Sequence, residues 1–469
     1  MQKIIAAPSR KLKLVPLVAA TYFMVAGGPY GLEELIQTSG YKLGLLIMMF
    51  VPLVWSLPTA LMVGELSAAI PCDGGFYVWV QRALGRFWGF QESWLSLMAS
   101  AFDLAAYPTL FVLSLGQIWP PASQGYNGVI IATGMLLTCM LWNLFGAKAV
   151  GDGSVLLGVL LLCPFIAITL VALFRHSAFA VQTATVSPVK GGFLSAIIVA
   201  MWNYMGWDNA STVAGEVENP QKTYPRVMMI TLAAIVISYM IPIAAVWYTH
   251  LAPTAWSTGS WSKIASVVVG PWLGLALVIG SMVSTFGIVN SLTLSYSRLP
   301  LAMAEAGDAP KIFERKLASG APWVSIVACG LLWATVLIAL KANFDRLLML
   351  DILLYGASLI LEFVALAVLR IREPQLLRPF KVPGGLPVAL LLGVGPTALL
   401  IMAFIKNRNE QLGPISSLNL GLLLMAAGVV CYFITAWRRK RLDDSNEKTA
   451  RQLGGLFFSR ENSSNGGSN

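Results

Sequence analysis

Apolar stretches, each closed by a short cluster of charge, recur along this whole chain, and about 20 residues of helix are what crosses roughly 30 Å of hydrocarbon. Twelve such spans are read at approximately 14–38, 44–69, 87–119, 127–146, 150–174, 192–215, 227–249, 266–297, 323–340, 347–369, 386–406 and 416–437. Spans three and eight are long for a bilayer, which predicts tilt or extension beyond it. Only 12% of the residues are charged, against about a quarter in a soluble domain. A membrane barrel would instead alternate over segments of about ten residues. The expected fold is an all-α polytopic membrane protein, with the lipid bilayer as its surroundings.

Lys and Arg divide unevenly between the two sides of these spans. With the N-terminus inside, 24 of the 32 fall on inner segments, the largest groups at Lys3–Lys13, Arg298–Lys316, Arg370–Lys381 and Arg438–Arg460. The positive-inside rule then places both termini in the cytoplasm. Much of the net charge of +10 is therefore topological, and nucleic acid is not an expected partner. The start "MQKIIAAPSRKLKL" is basic, but the apolar run after it is too long for a removable signal peptide. The cysteines Cys72, Cys139, Cys163, Cys329 and Cys431 are scattered and read as small core residues. With His176 and His250 the only histidines, and no HExxH or GxSxG, no metal, cofactor or catalytic residue is expected. The chain is not expected to be an enzyme. The polar tail 438–469 is expected to be cytoplasmic and irregular.

Two spans are interrupted. Span one holds "GGPYG", Gly27 to Gly31, followed by Glu33 and Glu34; span six holds "MWNYMGWDNASTVAGEVENP", with Asn203, Gly206, Asp208 and Asn209 near mid-membrane. Five spans separate the starts of the two, so the halves 14–174 and 175–369 have opposite sense, with 370–437 peripheral and 1–13 a cytoplasmic lead. A helix broken in lipid frees amides and carbonyls, which is tolerated only against protein or a water-filled cavity. Matching breaks in inverted halves point to the binding site of a secondary transporter. A channel would instead need a repeated pore loop, and a transporter-like nutrient sensor a large added domain.

The segments "GEVENPQKTYPR" (Gly215–Arg226) and "SRLPLAMAEAGDAP" (Ser297–Pro310) resemble hallmarks of the amino acid–polyamine–organocation permeases. "GGPYGLEE", "PCDGGFYVWVQRALGRFWGFQESW", "DLAAYPTLF" and "RIREPQLLRPFKVPGG" are similar to the plant-type polyamine uptake branch. The resemblance runs from Gly27 to about Gly385. It implies a leucine-transporter-type fold of two inverted five-helix repeats plus two peripheral helices, moving polyamines or amino acids.

Acids at membrane depth are costly and usually functional. Glu33 matches the acid of the resembled pattern. It stands in the first turn of the outer half-helix, where it favours an amine over a substrate carboxylate. Asp208 lies beside Trp207 and one turn from Tyr204, a setting suited to an ammonium. Asp103 is read as a wall of the same site. The candidate substrate residues are thus Gly27, Gly28, Gly31, Glu33, Asp103, Tyr204, Gly206, Trp207 and Asp208. Glu65, Glu216 and Glu218 read as latch residues at inner span ends. For ion coupling, Ser284, Thr285 and Glu362 are candidates, with protons or sodium as the ion. Mid-span acids without mid-span Lys or Arg favour a cationic substrate moved with protons by alternating access at the plasma membrane. Neutral amino acid transport or exchange, possibly sodium-coupled, is the alternative.

Overall fold

The structure, a computed structural model, describes residues 11–174, 192–339, 344–407, 411–412 and 415–464. The basic stretch before Lys11, the loop residues Arg175, His176, Lys190, Lys341 and Arg408, and the last five residues lie outside these. Runs free of a Gly–Pro cluster fold as continuous helices because their leucines, alanines and methionines lose little rotamer freedom there. Among the described residues eight helices are long and apolar enough to cross a bilayer, and Leu14–Val25, Asn127–Asn143 and Trp323–Ala339 are shorter apolar helices.

The interruptions fall where Gly and Pro cluster. Span one is helical over Leu14–Val25, extended from Ala26, and helical again from Glu33. The second helix bends at Gly40, which has φ 70° and ψ 172°, and so becomes span two. A π-helical turn at Pro52–Ser56 carries it on into Leu57–Ala69; Pro52 has no amide to donate, so the regular ladder yields there. Span three is Arg86–Ile118, span four Asn127–Asn143 and span five Ala147–Phe174. Span six is helical over Gly192–Trp202, breaks, and continues as short turns through Trp207–Thr212 and Ala214–Glu216. Spans seven to ten are Pro220–Tyr248, Pro271–Tyr296, Trp323–Ala339 and Phe344–Arg372. Two five-span units with their first members broken form an inverted pair. Gly385–Leu392 with Val394–Asn407, then Ser417–Ser464, make the outlying pair.

One expectation differs. The polar tail does not lose helix at Leu442 but continues it to Ser464. No proline interrupts the stretch, and acids stand four residues before bases in the sequence, as Asp444 to Lys448 and Glu447 to Arg451, a spacing that supports helix.

Arginines gather at one end of the bundle, where charged side chains join the helix ends. Glu65 at the end of span two accepts from Arg370 Nε at 2.9 Å, again from Arg370 Nη2, and from the Val382 amide at 2.7 Å; Arg378 Nε lies 3.3 Å away. Arg298 reaches Glu216 at 2.9 Å. Asp308 accepts from Arg86 at 2.7 Å, Arg439 at 2.9 Å and the Tyr77 hydroxyl at 2.8 Å. Arg82 pairs with Glu373.

In the turn between the helix Leu57–Ala69 and the helix Gly75–Leu84, Asp73 accepts the Gly215 amide at 2.9 Å. Burial, and then the neighbouring Glu216, push the Asp73 carboxyl from its ordinary 3.8 up to about 6. A raised carboxyl favours the fold in its protonated form, so its contribution is full below 3.8 and lost as pH rises through about 6. Asp73→Asn is therefore expected to flatten the decline in thermal stability between pH 4 and pH 6. Melting curves of parent and variant across that window check it, and parallel curves count against it.

Candidate functional site

The backbone groups freed at the first break are largely taken up by neighbouring side chains. The Gly27 carbonyl accepts from Ser284 Oγ at 2.6 Å, and the Pro29 carbonyl accepts from the Trp261 indole at 3.0 Å. Glu33, only 1% exposed, folds back on its own turn, its carboxylate accepting the Gly31 amide at 2.7 Å. Tyr30 donates to the Leu277 carbonyl at 2.6 Å. The break is thus a scaffold in which each freed carbonyl fixes a different helix. Gly27 has no room for more: a Cβ there would lie 2.4 Å from Ser284 Oγ and 2.7 Å from Ile288 Cδ1.

At the second break Gly206 takes φ +94°, a left-handed conformation. Its amide donates to the Tyr355 hydroxyl at 3.0 Å, and that hydroxyl donates to Asp208 Oδ1 at 2.5 Å. One tyrosine of span ten therefore links the amide and the carboxylate of the break. Tyr204 and Trp207 face elsewhere: the Tyr204 hydroxyl donates to the Met48 carbonyl, and the Trp207 indole to the Tyr204 carbonyl.

Between the breaks lies a small, partly open cavity. Span one contributes Met24 and Val25, and span six Trp202, Met205, Gly206 and Asn209. Span three contributes Asp103 and Tyr107, span eight Tyr296, and span ten Asp351 and Tyr355. Two carboxylates and four aromatic rings share this lining, with no Lys or Arg. Asp103 is within hydrogen-bonding reach of Tyr107, and Asp351 lies in the electrostatic range of both Asp103 and Asp208. Arg82 and Arg86 are engaged at the arginine end, so neither neutralises Asp103. The chemistry on offer is attraction of positive charge flanked by aromatic faces.

Of the residues expected from sequence, Asp103 and Gly206 line the cavity, and Asp208 joins it through Tyr355. Gly27, Gly28, Gly31 and Glu33 are not in its lining, nor are Tyr204 and Trp207. Ser284 is bound to Gly27, while Thr285 donates to the Ser281 and Met282 carbonyls of its own helix at 3.1 Å each. Glu362 is fully buried, with neither carboxylate oxygen hydrogen-bonded.

Asp351 and Glu92 were not among the expected residues. Asp351 lies close to the expected start of span ten and reads as an end-of-helix acid. The available signal was its spacing: Asp351 and Glu362 are 11 residues apart, as are Glu92 and Asp103. Three turns separate each pair, and the two neighbouring helices present acids in matching register.

Gly206→Ala tests the second break. A Cβ there would meet the Met24 carbonyl oxygen at 2.4 Å, a backbone atom that cannot rotate away. The left-handed conformation alone costs a non-glycine residue about 1–3 kcal/mol. The variant is expected to melt lower and to separate spans one and six, as read by thermal unfolding in detergent; an unchanged melt contradicts the packing.

The sequence model of the amino acid permease family matches residues 18–430. The polyamine transporter RMV1 of Arabidopsis thaliana is 32% identical over 421 residues, 88% of this chain and 84% of that protein. The serine/threonine exchanger SteT of Bacillus subtilis is 25% identical, covering 81% of this chain and 86% of the exchanger. Among solved structures, MhsT in complex with L-phenylalanine superposes with a TM-score of 0.62 at 14% identity, over 84% of this chain and 98% of that one. That likeness is one of fold, the inverted five-helix repeat with broken first members. The matched span and the identity to RMV1 establish that this multi-pass chain belongs to the amino acid permease family, whose members are transporters of small molecules.

Proposed function

We propose that the protein is a secondary active transporter of cationic substrates, with polyamines as the first class, moved together with protons by alternating access. The observation that carries this is the cavity lining: Asp103 and Asp351 among Tyr107, Trp202, Tyr296 and Tyr355, with no basic residue. A polyamine brings two or more ammonium groups to such a lining, and aromatic faces add cation–π attraction of about 0.5–2 kcal/mol each. The likeness to the polyamine transporter RMV1 points the same way, as does that to the probable agmatine/putrescine antiporter AguD of Lactococcus lactis, 27% identical over 378 residues. Proton coupling is favoured by the buried acids of the lining, which have no Lys or Arg beside them to hold them ionised. The charge asymmetry supports cytoplasmic termini.

Purified protein in liposomes should take up labelled putrescine or spermidine when a pH gradient is imposed without sodium. Neutral amino acids should not compete. Uptake of serine or phenylalanine with no response to putrescine, spermidine or arginine overturns the substrate reading. A strict need for a sodium gradient overturns the coupling.

A further inference from the structure

Spans three and ten run side by side, and their acids meet at two levels. Asp103 and Asp351 line the cavity, while Glu92 and Glu362 lie three turns nearer the arginine end, about 16 Å along the helices. Between these levels Ser96 and Ser358 exchange a hydrogen bond at 2.9 Å, and Ser358 also donates to Glu92 Oε1 at 2.6 Å. The other Glu92 oxygen and both Glu362 oxygens are buried without a hydrogen-bond partner. Both side chains are fully buried, and neither lines the cavity.

No cation faces this pair among the described residues. The charges nearest to it are carboxylates: Asp208 acts on both, and Glu92 on Glu362. Cations on the surrounding elements are engaged, or, as Arg438 and Lys440 of the last helix, exposed. Arg370 and Arg378 hold Glu65, Arg82 holds Glu373, Arg86 and Arg439 hold Asp308, and Arg298 holds Glu216. Arg372 donates to the Ala83 carbonyl, and Lys406 contacts Ser195. The titratable hydroxyls and thiols of the packed helices are likewise engaged: Tyr355 on Asp208, Tyr77 on Asp308, Tyr296 with Asn209, Cys329 toward the Tyr296 carbonyl and Cys139 toward the Phe286 carbonyl.

Two neighbouring carboxylates in a dry interior cannot both stay ionised without a counter-charge. We propose that Glu92 and Glu362 form a proton-binding site separate from the substrate cavity. One of the two carboxylates takes up a proton as a carboxylic acid, so that the pair carries at most one negative charge. The proton leaves again when the charge at Asp208 changes, because Asp208 is the charged neighbour common to the pair and to Asp351. This inference rests on the transport reading for its role in coupling, but proton occupancy itself needs no substrate.

Infrared difference spectra of purified protein at neutral pH, with no substrate, test occupancy. The parent should show a protonated-carboxyl band that the Glu92→Gln/Glu362→Gln double variant loses in part and that a change at the exposed Glu34 leaves intact. Should the double variant not fold, Glu362→Gln alone gives the same reading, with Glu34→Gln as the control that keeps the band. A band identical to the parent's in the Glu92/Glu362 variants overturns the site. So does abolition of the band by sodium at fixed pH, which would assign the pair to that ion. In liposomes, a single coupled proton drives accumulation of putrescine about tenfold per pH unit of imposed gradient, and Glu362→Gln should reduce that dependence below about twofold. An undiminished pH response in Glu362→Gln overturns the coupling role. If the parent does not transport putrescine, the substrate reading falls while the infrared result still decides the proton site.

Discussion

Asp351→Asn is expected to abolish high-affinity uptake of cations while leaving the protein folded. Asp351 and Asp103 are the only carboxylates in the cavity lining, and the substitution keeps the size of the side chain while removing its charge. Truncating one partner of a buried charge pair costs about 2–5 kcal/mol, roughly 30-fold to several-thousand-fold in affinity. Stability should hold or rise, since the change relieves repulsion from Asp103 and Asp208. Initial rates of putrescine uptake in proteoliposomes, set beside thermal melts of the same preparations, separate the two effects. Uptake at the parental rate would remove Asp351 from the site.

Glu65→Gln is expected to have the largest effect on stability. Glu65 is fully buried and receives Arg370, Arg378 and the Val382 amide together. Removing one partner of a buried ion pair leaves uncompensated charge and costs about 3–5 kcal/mol, a large part of a typical net stability of about 5–15 kcal/mol. Arg378 retains the carbonyls of Leu369, Glu373 and Leu376 and Arg370 those of Val382 and Gly385, but Arg370, which gives Glu65 two hydrogen bonds, loses the most. The double change Glu65→Leu/Arg370→Leu should therefore recover much of the loss. Denaturant or thermal unfolding in detergent measures both, and a single variant as stable as the parent would show that the latch contributes little.

The spans were legible because apolar runs of this length have few other folds, and both breaks were legible because Gly–Pro clusters and mid-span Asn and Asp are poor helix material. Side-chain direction was not. Glu33 sits where its position in sequence suggested, yet the left-handed turn at Gly31 brings the amide within its reach and turns the carboxylate inward on its own loop. Tyr204 and Trp207 closely precede Asp208 in sequence, but the left-handed turn at Gly206 separates them and their polar atoms go to different neighbours. Asp351 was hidden by a boundary. The helix begins at Phe344, so an acid that reads as an entry residue lies two turns deep. The tail differed for another reason: polarity predicts exposure, and exposure does not by itself exclude helix.

Span ten carries Asp351 in the cavity lining, Tyr355 on the span-six break, Ser358 and Glu362 against span three, and Arg370 in the Glu65 latch. These belong to one unbroken helix, Phe344–Arg372. A stiff rod of 29 residues transmits displacement along its whole length, so its two ends cannot be repositioned independently. A binder that immobilises the arginine end would act as a remote brake on the cavity without ever competing with what the cavity holds.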